Sequence, residues 1–379
     1  MAIAVHSCDP LGERCTWQRT HGGAGIDKAF AVATLDDGSV VAVGTTRRPD
    51  GGRDDALVLR IDADGNAVWR RVFGGSDTDQ ALGATPAADG GVLVVGHTRS
   101  EGAGQSDLWA ERLDAAGNTL WRLVDGGPGN DRAEAVAATA DGGFVIAGFT
   151  TSVPGHGRDA WVVRLDDTGT IVWQRSFGGT GTDGAAAVAE TVNGDILLTG
   201  HRFDAATGFD LWVARLDRTG RTVWEHCADR TVLDAGTAIV ELAGGTIAVL
   251  GATQPGPGLA LDALVVTLDG DGTPRWQRTL DGGGDDMGYA IAEAGGGGLV
   301  VLAATNGRGA GSSDVWLMGL DAGDGGLRWE RTYGGAFWDR PAGLAVGADG
   351  RLMVAGYTTS AGAGYEDWLL LRLDADGRL

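Results

Sequence analysis

Seven tryptophans, Trp17, Trp69, Trp121, Trp173, Trp224, Trp276 and Trp329, recur at spacings of 52, 52, 52, 51, 52 and 53 residues. A clock that regular means one supersecondary unit copied seven times, and such units bury their apolar faces only against one another. One copy reads plainly from Asp131 to Phe177. A strand of small residues starting at Ala133 meets the turn Asp141-Gly142-Gly143, and Phe144-Val-Ile-Ala-Gly148-Phe-Thr150 returns as a second strand. Asp-Gly and Asn-Gly between apolar runs favour hairpins, because the turn needs φ > 0. Equivalent turns stand at Asp37-Gly38, Asp89-Gly90, Asn193-Gly194 and Asp349-Gly350. A Gly-rich loop then leads to Asp159 and a third strand, Ala160 to Asp166; Asp167-Thr168-Gly169 turns the chain into a fourth, Ile171 to Phe177. Four short antiparallel strands per copy describe a propeller blade.

The expected fold is therefore all-β: a seven-bladed β-propeller with four antiparallel strands per blade. Length alone would suggest two or three domains, but no linker separates the copies. One domain over 1–379 is expected, with blades at 27–73, 79–125, 131–177, 183–228, 234–280, 286–333 and 339–379 plus 12–20. The last copy stops before its fourth strand, and Cys15-Thr-Trp17-Gln-Arg-Thr20 supplies one from the other terminus. That strand closes the ring and removes an exposed sheet edge. The pattern D-G-G…G-x-T…D-x-W-x-x-R-L-D…G…W-x-R-x-F-G-G resembles bacterial seven-bladed β-propeller repeat proteins, with a WD40- or kelch-like layout. The resemblance runs from about residue 12 to the end and lacks the Gly-His and Trp-Asp signature of WD40 repeats. It implies a fold and no catalytic residue.

A formal charge of −21 and a pI near 4.5 argue against nucleic acid, whose phosphates need a basic surface. Three repeated Asp columns supply 21 of the 51 acidic residues, so much of the charge is architectural. No apolar run is long enough for a membrane helix, and the start lacks a basic n-region and a long h-region. A cytoplasmic monomer without cofactor is expected. Cys8, Cys15 and Cys227 carry no C-x-x-C spacing and read as reduced thiols; a Cys8–Cys15 bridge is the alternative if a leader was removed.

Several motifs look chemical and read as architectural. Asp62-Ala-Asp64-Gly65-Asn66 and Asp269-Gly-Asp271-Gly272 resemble the start of a calcium loop, but flanking strands and the missing later ligands make them hairpin turns. Asp27, Asp79, Asp131, Asp183, Asp234, Asp286 and Asp339 read as acceptors of local backbone N–H bonds. No metal is expected in either place. Arg60, Arg112, Arg164, Arg215 and Arg372 suggest ion pairs between blades. Twelve of the thirteen tryptophans fall in two columns and are expected in the core.

Residues that escape the repeat point to function, because architecture no longer explains them. After each column Asp stands a variable residue: Lys28, Gln80, Arg132, Gly184, Ala235, Met287 or Arg340. After each second-strand Gly stands another: Thr45, His97, Phe149, His201, Ala252, Ala304 or Tyr357. Both columns belong near the channel mouth, on the face of the longer loops, where function concentrates. Trp338 is the tryptophan outside the columns, and His226-Cys227-Ala-Asp229-Arg230 replaces the usual Gly-Gly between the fourth and fifth blades. One reading is a small-molecule site with His97 or His201 as acid/base, Lys28, Gln80, Arg132 and Arg340 as polar contacts, and Phe149, Met287, Trp338 and Tyr357 as apolar ones, for lyase, cyclase or hydrolase chemistry. His226 and Arg230 are reserves. A zinc shared by His97 and His201 is not expected, because they stand two blades apart. The alternatives are a scaffold holding a protein or peptide on the loop face and, less well supported, a carbohydrate-binding propeller. A pocket where His97, Arg132 and Phe149 converge favours chemistry; a flat loop face favours a scaffold.

Overall fold

The computed structural model describes residues 6–8, 15–47, 52–228, 233–256 and 258–379. From Asp27 to Tyr333 its strands fall into six successive groups of four, each a simple antiparallel meander. The third blade consists of Asp131–Ala138, Phe144–Thr150, Asp159–Leu165 and Ile171–Phe177, close to the strands read from the sequence. In the seventh, Asp339–Val346, Leu352–Thr358 and Asp367–Leu373 are joined by Cys15–His21, which sets Trp17 opposite Arg372. The chain is a β-propeller, as expected.

Burial explains why the copies need one another. Seven hydrophobic clusters each draw on two adjacent blades, and one of them unites Met353, Ala355, Trp368 and Leu370 of the seventh with Val40, Leu57 and Ile61 of the first. The clock tryptophans bind the same junctions from outside. Trp17, Trp69, Trp121, Trp173, Trp224 and Trp276 donate Nε1–H to a carbonyl in the next blade's last hairpin, at 2.9–3.1 Å. The positive-φ glycine of that hairpin lies against the indole, leaving no room for a side chain. Trp17 repeats this contact on Gly65 of the first blade. The second tryptophan column is core as expected, but of the clock column Trp17 is buried and the other six sit half-exposed on outermost strands.

A second device works on the loop face. Gly23, Gly75, Gly127 and Gly335 donate N–H to Asp27, Asp79, Asp131 and Asp339 at 2.7–2.9 Å, and Ser100, Ser152 and Ser360 donate to the last three. This column accepts local backbone bonds, as read from the sequence. The preceding glycines, Gly22, Gly74, Gly126, Gly178 and Gly334, press against the carboxylates that open the third strands, Asp367, Asp55, Asp107, Asp159 and Asp314. A Cβ there would overlap the carboxylate. The Asp62 turn is likewise a hairpin, its Oδ1 accepting from the N–H of Asp64 and Asn66.

Three expectations need correction. Arg60, Arg112, Arg164, Arg215 and Arg372 pair with Asp37, Asp89, Asp141, Asp195 and Asp349, inside their own blades, because the third strand runs beside the first hairpin. Cys15 is disulfide-bonded, not reduced: His6–Cys8 forms an extra strand on Cys15–His21, which sets the Cys8 backbone opposite Cys15. Cys227 is free. The segment from His226 also differs from the expected connection, since the fourth strand of its blade continues through Ala228.

Trp17 is fully buried in the cluster joining the seventh and first blades. Trp17→Ala should cost about 3–5 kcal/mol, read as a large drop in melting temperature; a melt matching wild type would contradict this account of the N-terminal strand.

Candidate functional site

A bulge recurs in the first strand of every blade, between Ala133 and Ala135 in the third. An extra residue there bends the strand and re-aims its side chains. Ahead of each bulge the two variable columns face one another in register. Lys28 pairs with Thr45, Gln80 with His97, Arg132 with Phe149, Gly184 with His201, Ala235 with Ala252, Met287 with Ala304, and Arg340 with Tyr357. Each blade thus presents one cross-strand pair at the loop end of its inner strands.

Two groups of these pairs are knit together. Around the third blade, Arg132 Nε lies 2.9 Å from Glu134, and Arg158 stacks 3.8 Å over the Phe149 ring. Burial pushes the Glu134 carboxyl up, while the charges of Arg132 and Arg158 pull it down. Gly184 is flanked by the Arg158 guanidinium and the His201 imidazole, and a Cβ would crowd both. His201 meets Phe209 edge-on at 5.4 Å, and Phe209 meets Phe203 at 5.3 Å. His97 is 7% exposed, with its Nδ1 buried and unpartnered. Burial, assisted by Arg132, lowers His97 to about 4; burial, assisted by Arg158, lowers His201 to about 4. Both imidazoles are neutral at pH 7.

The second group spans the sixth, seventh and first blades. Lys28, 3.1 Å from Glu366, lies 4.8 Å from the centre of the Tyr357 ring. Arg340 lies 4.6 Å from that of Trp338, which is 43% exposed. Burial raises the hydroxyl of Tyr289, against the charge of Arg340. Met287 is exposed and Gln80 half-buried. His226 falls elsewhere, on an outermost strand where it lines a cleft of about 440 Å³ with Arg275 and Trp276. Arg230 lies outside the described residues.

Glu134, Arg158 and Tyr289 complete the groups and were not singled out in the sequence. Glu134 and Tyr289 sit on the bulge, where other blades carry Phe30, Leu82, Ala186, Thr237 and Ala342. Arg158 precedes the third-strand Asp, a third variable column that also holds Glu366. The signal was present, because both positions break the repeat. His97, Arg132 and Phe149 do come together, yet none of them lines any of five clefts of about 350–550 Å³ among the described residues. Among the described residues, no cluster of three metal-ligating side chains includes a histidine.

Comparison with known proteins agrees with the architecture. Residues 347–379 match the family described as "Domain of unknown function (DUF5122) beta-propeller". The chain is 25% identical to the "Regulatory protein FlaEY" of Caulobacter vibrioides over 84% of its own length, and it spans 40% of that protein. Sqt1 from Chaetomium thermophilum, solved bound to the N-terminus of the ribosomal protein L10, superposes with a TM-score of 0.54 at 13% identity, over 93% of this chain and 98% of that one. The Pan2 WD40 domain of Neurospora crassa gives 0.56 at 10% identity, over 92% and 89%. At such identities the likeness is one of fold. The chain is a β-propeller repeat protein of WD40-like architecture.

Neutral buried histidines make stability depend on pH. In the unfolded chain each titrates near 6.5, so above that pH the contribution is fully present. It is lost as pH falls from 6.5 towards 4, where the unfolded chain takes up protons and the folded one does not. His97 alone should cost about 2 kcal/mol between pH 6.5 and pH 5. Chemical denaturation at both pH values should show that loss, and His97→Gln should reduce it; identical profiles would contradict the buried neutral imidazole.

Proposed function

We propose that the loop face around the channel mouth is a protein-interaction platform that grips an extended segment of a partner bearing acidic side chains. The observation that carries this reading is the repeated stacking of a cation on an aromatic ring at the mouth: Arg158 on Phe149, Lys28 on Tyr357 and Arg340 on Trp338. Arginine, tyrosine and tryptophan are the residues that most often dominate binding energy at protein interfaces, and a guanidinium held against a ring is already ordered for a carboxylate. In the group around the third blade, Arg132 and Arg158 face Glu134, and the charges of Asp79 and Asp183 reach the neutral histidines, so the two guanidiniums are the cationic heads at the mouth of a strongly acidic protein. Such heads draw an acidic segment to the mouth.

The acid/base reading is weaker. A general acid or base works best with a pKa near the operating pH, and both imidazoles lie near 4. The peptide reading also draws support from the like fold of Sqt1, which is solved bound to the N-terminus of the ribosomal protein L10. A binding role also suits the name of the partly matching relative, a regulatory protein.

A phage-displayed peptide library selected on the whole protein should enrich acidic peptides. Binding of a synthetic enriched peptide, followed by fluorescence anisotropy, should weaken at least tenfold in Arg158→Ala and in Arg340→Ala. Asn193→Ala, on the opposite hairpin face, should leave it unchanged. Equal loss in the control, or no loss in either arginine variant, would overturn the assignment of this face.

A further inference from the structure

The inter-blade turn has one position that the repeat reserves for glycine, five residues after the clock tryptophan: Gly22, Gly74, Gly126, Gly178 and Gly334. The reason is steric and electrostatic. The carboxylate opening the third strand fills the space a Cβ would need, and the carboxylate of the next first strand stands beside it. Two copies depart: after Trp224 the position is Asp229, which lies outside the described residues, and after Trp276 it is Asp281. A third carboxylate thus enters a site already bordered by two, Asp262 and Asp286.

The three do not splay apart. Each offers an oxygen within 4.8 Å of the others'. Oxygens on opposite sides of one calcium ion, bound at about 2.3–2.6 Å, stand about 4.6–5.2 Å apart, so the three fit around a single ion. Asp286 is fully buried, and its Oδ2 accepts from the Gly282 N–H at 2.5 Å while its Oδ1 makes no hydrogen bond. In the equivalent places, Asp79 and Asp131 accept at Oδ1 from Thr98 and Thr150. Burial, reinforced by the charge of Asp281, pushes the Asp286 carboxyl up against the nearby Thr305 hydroxyl and Gly282 amide. Burial and the charges of Asp281 and Asp286 push up Asp262. Arg308, the cation whose charge reaches Asp286, is held 3.0 Å from Glu330 and lies over the Trp316 ring.

We propose that Asp262, Asp281 and Asp286 bind one hard divalent cation, calcium by its ligand chemistry, at the junction of the fifth and sixth blades. The ion offsets the repulsion that glycine avoids in five sibling turns, and it ties the third strand of one blade to the first strand of the next. It departs from the sequence expectation of no metal, and it is independent of the binding platform at the channel mouth.

The test uses the whole chain stripped with EDTA and titrated with calcium chloride in a calorimeter at physiological ionic strength, where diffuse binding to a charge of −21 is screened. One saturable equivalent is expected, with a rise in melting temperature of several degrees. Asp281→Gly, which restores the residue of five sibling turns, should fold, lose the isotherm and the calcium-dependent rise, and melt above metal-free wild type. No saturable binding by wild type, or an unchanged isotherm in Asp281→Gly, would overturn the site. Tighter binding of magnesium than of calcium would overturn the choice of ion.

Discussion

Everything in this fold depends on an indole lying against a glycine. Each clock tryptophan leaves the fourth strand of its blade and covers the positive-φ glycine of the next blade's last hairpin. Six also donate Nε1–H to a carbonyl of that hairpin. The clamp explains why the period is so strict. Donor and acceptor lie 46 residues apart in most copies, and a hairpin shifted by one residue would turn its carbonyl away and bring a side chain against the ring. It also explains why Cys15–His21 belongs with the last blade: Trp17 needs the Gly65 hairpin, and Gly65 needs an indole.

The architecture was legible because its determinants are local and repeated. Turn glycines, alternating strands and the tryptophan period each report on short-range geometry, and together they reproduce the blades strand by strand. The rim was legible in part. The two variable columns proved to be cross-strand partners in all seven blades, since a pleated antiparallel pair sets the same positions opposite one another each time. Glu134 and Tyr289 were hidden because the bulge inserts a residue that a period-two reading assigns to the wrong face. The arginine pairing was misjudged for a different reason. Distance across a sheet decides it, and the sequence displays distance only along the chain. His226 was mistaken for loop because its strand keeps regular pairing without the usual glycines.

Electrostatics separate the two faces of the repeat. On the hairpin face, Asp and Arg neutralise one another inside each blade and hold the turns. On the loop face the column carboxylates are consumed by backbone N–H and hydroxyl donors, so their charge is spent inside the junctions. Near the axis charged side chains vary from blade to blade, and Lys28, Arg158 and Arg340 there lie against aromatic rings. A protein with an excess of acidic residues thus keeps a small cationic and aromatic centre.

The cross-strand pairs ahead of the bulges have one further consequence. Backbone register, bulge and supporting carboxylate are the same in every blade, so each pair occupies an interchangeable socket and the mouth reads as a word of seven two-letter syllables. Moving Arg132 and Phe149 together into the socket of Ala235 and Ala252 changes the word without touching the grammar. A family built this way can acquire new recognition by exchanging syllables among copies of one gene, with the ring itself left out of the negotiation.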